Sequence, residues 1–321
     1  MRLLDGGYPQ RVAPRLSRTC TALDDRLVRP DDLFASQGGL ATTKQLLTAM
    51  SYRTLRRRIR DGKVIRVWHG VYADHPPEVI DRLAALDLVS GRSIVACMHT
   101  AAELHGFGTE VDGRIHILDP GVRMRPSSAL MVHQRIGAPL KRIHDRLATA
   151  PAWTAVEIAR TLQRPRALAA LDAALFKRCC TLPELCMAID EQNGRRGIVG
   201  IRELIRNVDG RSESPLESEA RLVFIDGGLP APEVQYEIVD RCGKLWRVDF
   251  AWPEAKLVAE YESMEWHATA EALRHDRMKV ARLQECGWMS IPVVVDDVRR
   301  HPKELVARIA THLNQRTSLA G

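Results

Sequence analysis

No run of 18 or more apolar residues occurs in the 321-residue chain, which excludes a transmembrane helix. No apolar stretch follows the first arginine of MRLLDGGYPQ, so a secretory signal is not expected. The seven cysteines are odd in number and none lies in a CxxC pair; Cys179 and Cys180 are adjacent and the others scattered. That pattern excludes a disulfide scaffold and a cysteine-rich zinc ribbon, and fits a reducing, cytoplasmic setting. Aromatic residues are only 5%, without the paired stacking signature of common single-strand RNA modules, so RNA ranks last among polyanionic partners. A 45% hydrophobic and 27% charged composition excludes a wholly disordered chain, and the length suits two or three domains.

Charge is unevenly placed. The whole chain carries +7, but from Ser212 onward there are 14 basic and 18 acidic residues, a balance of −4. The first 211 residues therefore carry +11, which suits a polyanion partner for the front part and a different task for the back.

Residues 1–30 are arginine-rich, contain Pro9, Pro14 and Pro30, and read as a basic mobile arm. Between 31 and 75 the chain reads as three short helices and a β-hairpin. Asp31 or Asp32 is expected to cap the first helix, Thr42 or Thr43 the second (TKQLLTAM) and Ser51 the third (YRTLRRRIR). VIRVW and GVYA then form two strands around His69-Gly70. This is the plan of a winged helix-turn-helix. In the third helix Tyr52, Leu55 and Ile59 recur at spacings of three and four and are expected to pack inward. Arg53, Arg56, Arg57 and Arg60 fall outside that stripe, and Lys63 and Arg66 extend the positive surface into the wing. Arginine forks bind phosphates or guanine edges, so this face is the expected contact to double-stranded DNA.

The segment GGLATTKQLLTAMSYRTLRRRIRDGKVIRVWHGVYA, with HTAAELHGF at 99–107, resembles the N-terminal winged-helix region of AbiEi-type antitoxins, with His69 where that family usually has Arg. The resemblance covers about residues 31–120 and implies a DNA-binding regulator with a cognate toxin as a further partner.

Residues 76–210 read as a mostly helical connecting module with a short sheet: EVIDRLAALDLVS, HTAAELHGF and four later segments are helical, RIHILD and ALMVHQ are strands. His99 and His105 are six residues apart, a spacing that favours packing or capping over shared ligation.

From 211 to 316 the order reads helix, three strands, helix, strand, helix, starting at the Ser214-Pro215 signal. Arg247 and Asp249 share one face of LWRVDFAW; Glu260 and Glu262 share one face of KLVAEYE. Paired with those faces together, Asp249, Glu260 and Glu262 converge, with Glu217 from the first helix beside them. Like carboxylates in one place need a cation or protons, and hard oxygen donors select Mg²⁺ or Mn²⁺.

The segments SPLES, GLPAPEVQ, RVDFAWP, VAEYESMEWH, DRMK and GW within 212–315 resemble the very-short-patch-repair-like branch of the PD-(D/E)XK endonucleases. That resemblance implies Asp249 and Glu260 as metal-binding acids, Glu217 as the helix acid, and Glu262 or His267 assisting proton transfer. Glu262 and Ser263 stand where the branch usually has Asp and Gly. The fold expected is α+β and multidomain: a winged helix-turn-helix, a mixed α/β middle and a restriction-endonuclease-like sandwich. The leading expectation is a Mg²⁺-dependent DNA endonuclease; the alternative is a non-catalytic DNA-binding regulator of the antitoxin type on a degenerate nuclease fold.

Overall fold

A computed structural model describes residues 29–110, 112–134, 137–143, 145–262 and 270–320. Of the expected arm over 1–30, residues 1–28 lie outside the described residues, and Pro30 belongs to the first helix instead.

The front unit runs α1 (Pro30–Ser36), β1 (Leu40–Thr42), α2 (Thr43–Ala49), α3 (Tyr52–Arg60), β2 (Ile65–Trp68) and β3 (Val71–Ala73). Its sheet order is β1-β3-β2, antiparallel throughout. The strand β1 is absent from the sequence reading because three residues carry no period to detect. The expected acidic cap of α1 is also corrected: Pro30 occupies the first helical turn behind Arg29, and Asp31 and Asp32 lie inside that turn. Phe34, Leu46, Leu55 and Val64 form the small core.

The middle unit contains α4 (Val79–Ser90), β4 (Val95–Ala96), α5 (Met98–His105), β5 (Ile115–Leu118), β6 (Leu130–His133), β7 (Leu140–Ile143), β8 (Arg146–Thr149), α6 (Pro151–Ala159), α7 (Arg164–Phe176), α8 (Leu182–Glu191) and α9 (Ile198–Leu204). Its strands make one mixed sheet in the order β6-β5-β4-β8-β7, so the expected short sheet is a five-stranded one. The missed strands are two to four residues long, and β7 is largely exposed, which left no alternation to read. Helix α4 covers the front sheet: Ala85 packs with Leu40, Val71 and Ala73. Trp68 donates its indole N–H to the Arg82 carbonyl at 2.7 Å, and the Arg82 guanidinium lies 5.4 Å from the Trp68 ring centre.

The back unit follows as α10 (Pro215–Asp226), β9 (Glu233–Val239), β10 (Leu245–Trp252), β11 (Leu257–Tyr261), α11 (Ala270–Glu285), β12 (Met289–Val293), α12 (Val295–Arg299) and α13 (Pro302–Ala320). The sheet order is β12-β11-β10-β9, antiparallel except for the β11–β12 pair. Parallel neighbours need a crossover, and α11 supplies it. Phe224, Phe250, Trp252, Ile291, Leu305 and Ile309 fill the layer under α10, α12 and α13. On the opposite face Leu283 of α11 meets Trp246, Val248 and Val258. Among the described residues no helix is long and apolar enough to cross a membrane.

The boundary near residue 210 is a packed seam. Leu222 of α10 belongs to the core of α6–α9. Arg221 reaches Asp172 of α7 at 2.6 Å with the two side chains 6% and 1% exposed. Asp172 also accepts from the Asp209 N–H at 2.8 Å, and Arg221 donates to the Asn207 carbonyl at 2.6 Å. Burial pushes the Asp172 carboxyl up to about 6, against the pull of Arg221.

Breaking this pair leaves a buried charge without its partner. Arg221→Met is expected to destabilise the fold by about 3–5 kcal/mol. Asp172→Asn in the same chain is expected to recover at least half of that loss, both read from urea midpoints with a double-mutant cycle.

Candidate nucleic-acid interface and carboxylate cluster

In the front unit, capping sets where the basic helix begins. Thr42 accepts from the Gln45 N–H at 3.3 Å while Gln45 accepts from the Thr42 N–H at 2.8 Å, a reciprocal capping box. The Ser51 hydroxyl accepts from the Thr54 N–H at 3.2 Å and starts α3. Leu55 is buried and Ile59 half-buried, as the spacing predicts. Tyr52 is a correction: it is 61% exposed. It stands first in the helix, and helical side chains lean toward the N-terminus, so its ring overhangs the end instead of meeting the core.

Arg53, Arg56, Arg57, Arg60, Lys63 and Arg66 are all exposed. Arg60 meets only its neighbour Asp61 at 3.4 Å, and Arg66 lies 2.8 Å from the His69 ring. Among the described residues Arg53, Arg56 and Arg57 have no acidic partner. Arg58 differs: it turns back to Asp31 of α1 at 2.9 Å and holds that carboxyl below its ordinary range. Of the histidines, His99 lies edge-on to His116, ring centres 5.3 Å apart, and His105 donates to the Thr149 carbonyl at 2.8 Å.

In the back unit the β10–β11 ladder is registered from Trp252↔Leu257 to Phe250↔Ala259. One step further Asp249 and Glu260 stand opposite, and the Tyr261 N–H donates to the Asp249 carboxylate at 2.8 Å. On the other side, β9 pairs Val248↔Tyr236 and Phe250↔Val234 and skips Gln235, whose φ is +53°. The Gln235 amide donates to Glu217 at 3.0 Å and, more weakly, to Asp249 at 3.4 Å. Glu217 also accepts from the Glu213 N–H at 2.9 Å. Glu260 pairs with Lys279 of α11 and receives a long contact from the Ser290 hydroxyl at 3.4 Å.

Burial raises the carboxyls of Glu217, Asp249 and Glu260 above their ordinary values. The charge of Asp249 adds to the rise at Glu217 and Glu260, while Lys279 opposes it at Asp249 and Glu260.

Three of the expected acids are thus brought together. Glu262 is not: its side chain is exposed and unpartnered among the described residues, and its N–H continues the ladder to the Val293 carbonyl at 2.8 Å. The strand ends at Tyr261, so the alternation that would turn Glu262 toward Asp249 no longer applies. His267 and Ser263 lie outside the described residues. Sequence reasoning gave no role to Gln235 or Lys279, although both stand in segments that carried the nuclease resemblance, GLPAPEVQ and DRMK.

Oxygen donors of this kind suit Mg²⁺ or Mn²⁺, but the residues as placed do not fit such an ion. At least one oxygen of each carboxylate already accepts from an N–H or an ammonium, and among the described residues no group of three or more His, Cys, Asp or Glu side chains is arranged to hold a metal.

Comparison with known proteins places the front two units. Residues 28–73 match the family described as "Transcriptional regulator, AbiEi antitoxin", and residues 94–207 match the "AbiEi antitoxin C-terminal domain". Both matches end before α10. The front and middle units are thus each similar to a domain of AbiEi-type antitoxins. The chain belongs to one family with two uncharacterized proteins of Mycobacterium tuberculosis, MT2308 of strain CDC 1551 and Rv2248 of strain H37Rv. Each is 58% identical over 272 residues, which is 85% of this chain and all of the relative.

Within α3 the arginines separate by role. Arg58→Ala is expected to lower front-unit stability by about 0.5–1 kcal/mol, the worth of a largely exposed ion pair. Arg56→Ala and Arg57→Ala are expected to leave the thermal midpoint unchanged, as differential scanning fluorimetry reads it.

Proposed function

We propose that this chain is a DNA-binding regulator of the antitoxin type, working in the cytoplasm, with a cognate toxin as its second partner. The front unit is a winged helix-turn-helix, α3 its recognition helix and the β2–β3 hairpin its wing. One observation carries the reading: the region matched by the transcriptional-regulator family is the unit whose third helix exposes Arg53, Arg56 and Arg57, which no acid among the described residues compensates. Unpaired guanidinium groups on a rigid helix are free to replace the counter-ions of a duplex backbone. The α-β-β-β-α-β order of the back unit supports a restriction-endonuclease-like scaffold, and in this reading that scaffold is not catalytic.

Replacing Arg56 and Arg57 by Ala is expected to weaken duplex binding and to flatten the slope of log K against log salt by about 2, given roughly 0.9 per phosphate contact. Fluorescence anisotropy on a fragment of the chain's own promoter reads both. Unchanged affinity and slope in the double variant rule out α3 as the recognition helix.

A second reading, metal-dependent DNA cleavage, is favoured by the burial of Asp249, Glu260 and Glu217 in one cluster. Supercoiled plasmid with Mg²⁺, Mn²⁺ or EDTA separates the two. Nicking that needs both metal and Asp249 supports the nuclease; binding without cleavage by wild type and Asp249→Ala alike leaves the regulator.

A further inference from the structure

Helix α11 is exposed over most of its length. Every residue from Leu273 to Met278 is exposed, His275 lying against Trp246 with ring centres 5.3 Å apart, and further along the same face Lys279 and Leu283 turn toward the sheet. These two are four apart and share one face of the helix. Leu283 enters the apolar layer; Lys279 enters the carboxylates. The Lys279–Glu260 pair is largely enclosed, with side chains 18% and 16% exposed. The rest of the cluster is likewise served from within the chain. Gln235 sits in the left-handed region in mid-strand, an unfavourable conformation for a residue with a side chain, and there its amide reaches both Glu217 and Asp249.

We propose that Lys279 is the built-in counter-ion of Glu260, an ammonium that occupies the place at that carboxylate which a divalent cation would need. An ammonium and a divalent cation on one carboxylate repel each other, and the one that binds must displace the other. Lys279 is tethered by a helix whose crossover joins β11 to β12, so its effective concentration at Glu260 is high and exchange by a free cation is disfavoured. The inference goes beyond DNA binding by α3 and rests on the reading that the back unit is not catalytic.

The test is a titration of full-length wild type, Lys279→Met and Lys279→Met/Asp249→Asn with Mn²⁺. Free ion is counted by electron paramagnetic resonance, and thermal midpoints are measured with and without Mn²⁺. Lys279→Met is expected to bind one Mn²⁺ about tenfold or more tightly than wild type, the size of removing one unit charge near a cation in a partly buried site. Its midpoint without metal is expected to fall below that of wild type and to rise on adding Mn²⁺, while wild type does not respond. The double variant is expected to lose the gain, which assigns it to this cluster. Equal affinity in wild type and Lys279→Met overturns the proposal, and weaker binding by Lys279→Met overturns it too, by making the lysine a helper of the ion. Should Lys279→Met not fold, Lys279→Gln, uncharged but still able to donate to Glu260, is read by the same criteria. A failure of α3 to bind DNA leaves this result untouched, and the reverse holds.

Discussion

The architecture depends on one constraint: α10 is buried on nearly every side, yet carries Glu217, Glu219 and Arg221 in consecutive alternate positions. A helix enclosed in this way cannot leave charges to water, so each must be met by a partner. Arg221 is met by Asp172 of the middle unit, Glu219 by a two-pronged contact from Arg299 at 2.6 and 2.8 Å, and Glu217 by Gln235 and the Glu213 N–H. The three partners belong to three regions of the chain. Satisfying α10 therefore fixes α7, the α12–α13 corner and the first strand of the back sheet together. A similar logic operates at the front, where Trp68 and Arg82 bind the small sheet to α4. The units are joined through shared helices, and the matched antitoxin domains are continuous in packing with the unmatched back unit.

This coupling bears on how such a chain can serve as a regulator. The front core is small, built around Phe34, Leu46, Leu55 and Val64, and a domain of that size gains much of its stability by leaning on a neighbour. Helix α4 provides the support and leaves the opposite face, with α3, open to solvent. The exposed arginines are held on a helix whose start is fixed by Ser51 and whose inner face is fixed by Leu55. A rigid presentation of charge lowers the ordering cost of binding a duplex.

How much of this was legible in the sequence follows from the range of each interaction. The caps Thr42 and Ser51, the Leu55–Ile59 stripe and the element order of the back unit, apart from the five-residue α12, rest on neighbours a few residues apart, and periodicity reports them. Tyr52 failed because periodicity knows the face of a helix but not where the core beneath it ends. Strands β4, β7 and β8 failed because short elements carry too few residues to show alternation, and their pairing is decided by partners far along the chain. The convergence of Asp249 with Glu260 was readable from strand alternation, and Glu262 was misplaced because the strand stops before it. Gln235 and Lys279 were beyond such reasoning. The first acts through a left-handed backbone that no local rule assigns to glutamine, the second through a helix 19 residues away from the acid it meets.

The two ends of the chain differ most in how their charges are compensated. In the back unit the buried charges among the described residues have internal partners, down to a lysine that meets Glu260 and a glutamine that bridges Glu217 and Asp249. In α3, Arg53, Arg56 and Arg57 have none among the described residues, while Arg58 turns inward to Asp31 and Arg60 meets its neighbour Asp61. Folding alone gives no reason to place uncompensated arginines side by side, since like charges at helical spacing repel. Compensation within the chain completes a structure, whereas its absence on a rigid, solvent-facing helix leaves the charge to be met from outside. By this criterion the acids of the back cluster are met by donors from within the fold, and the surface left to be met from outside is the arginine face of the front unit.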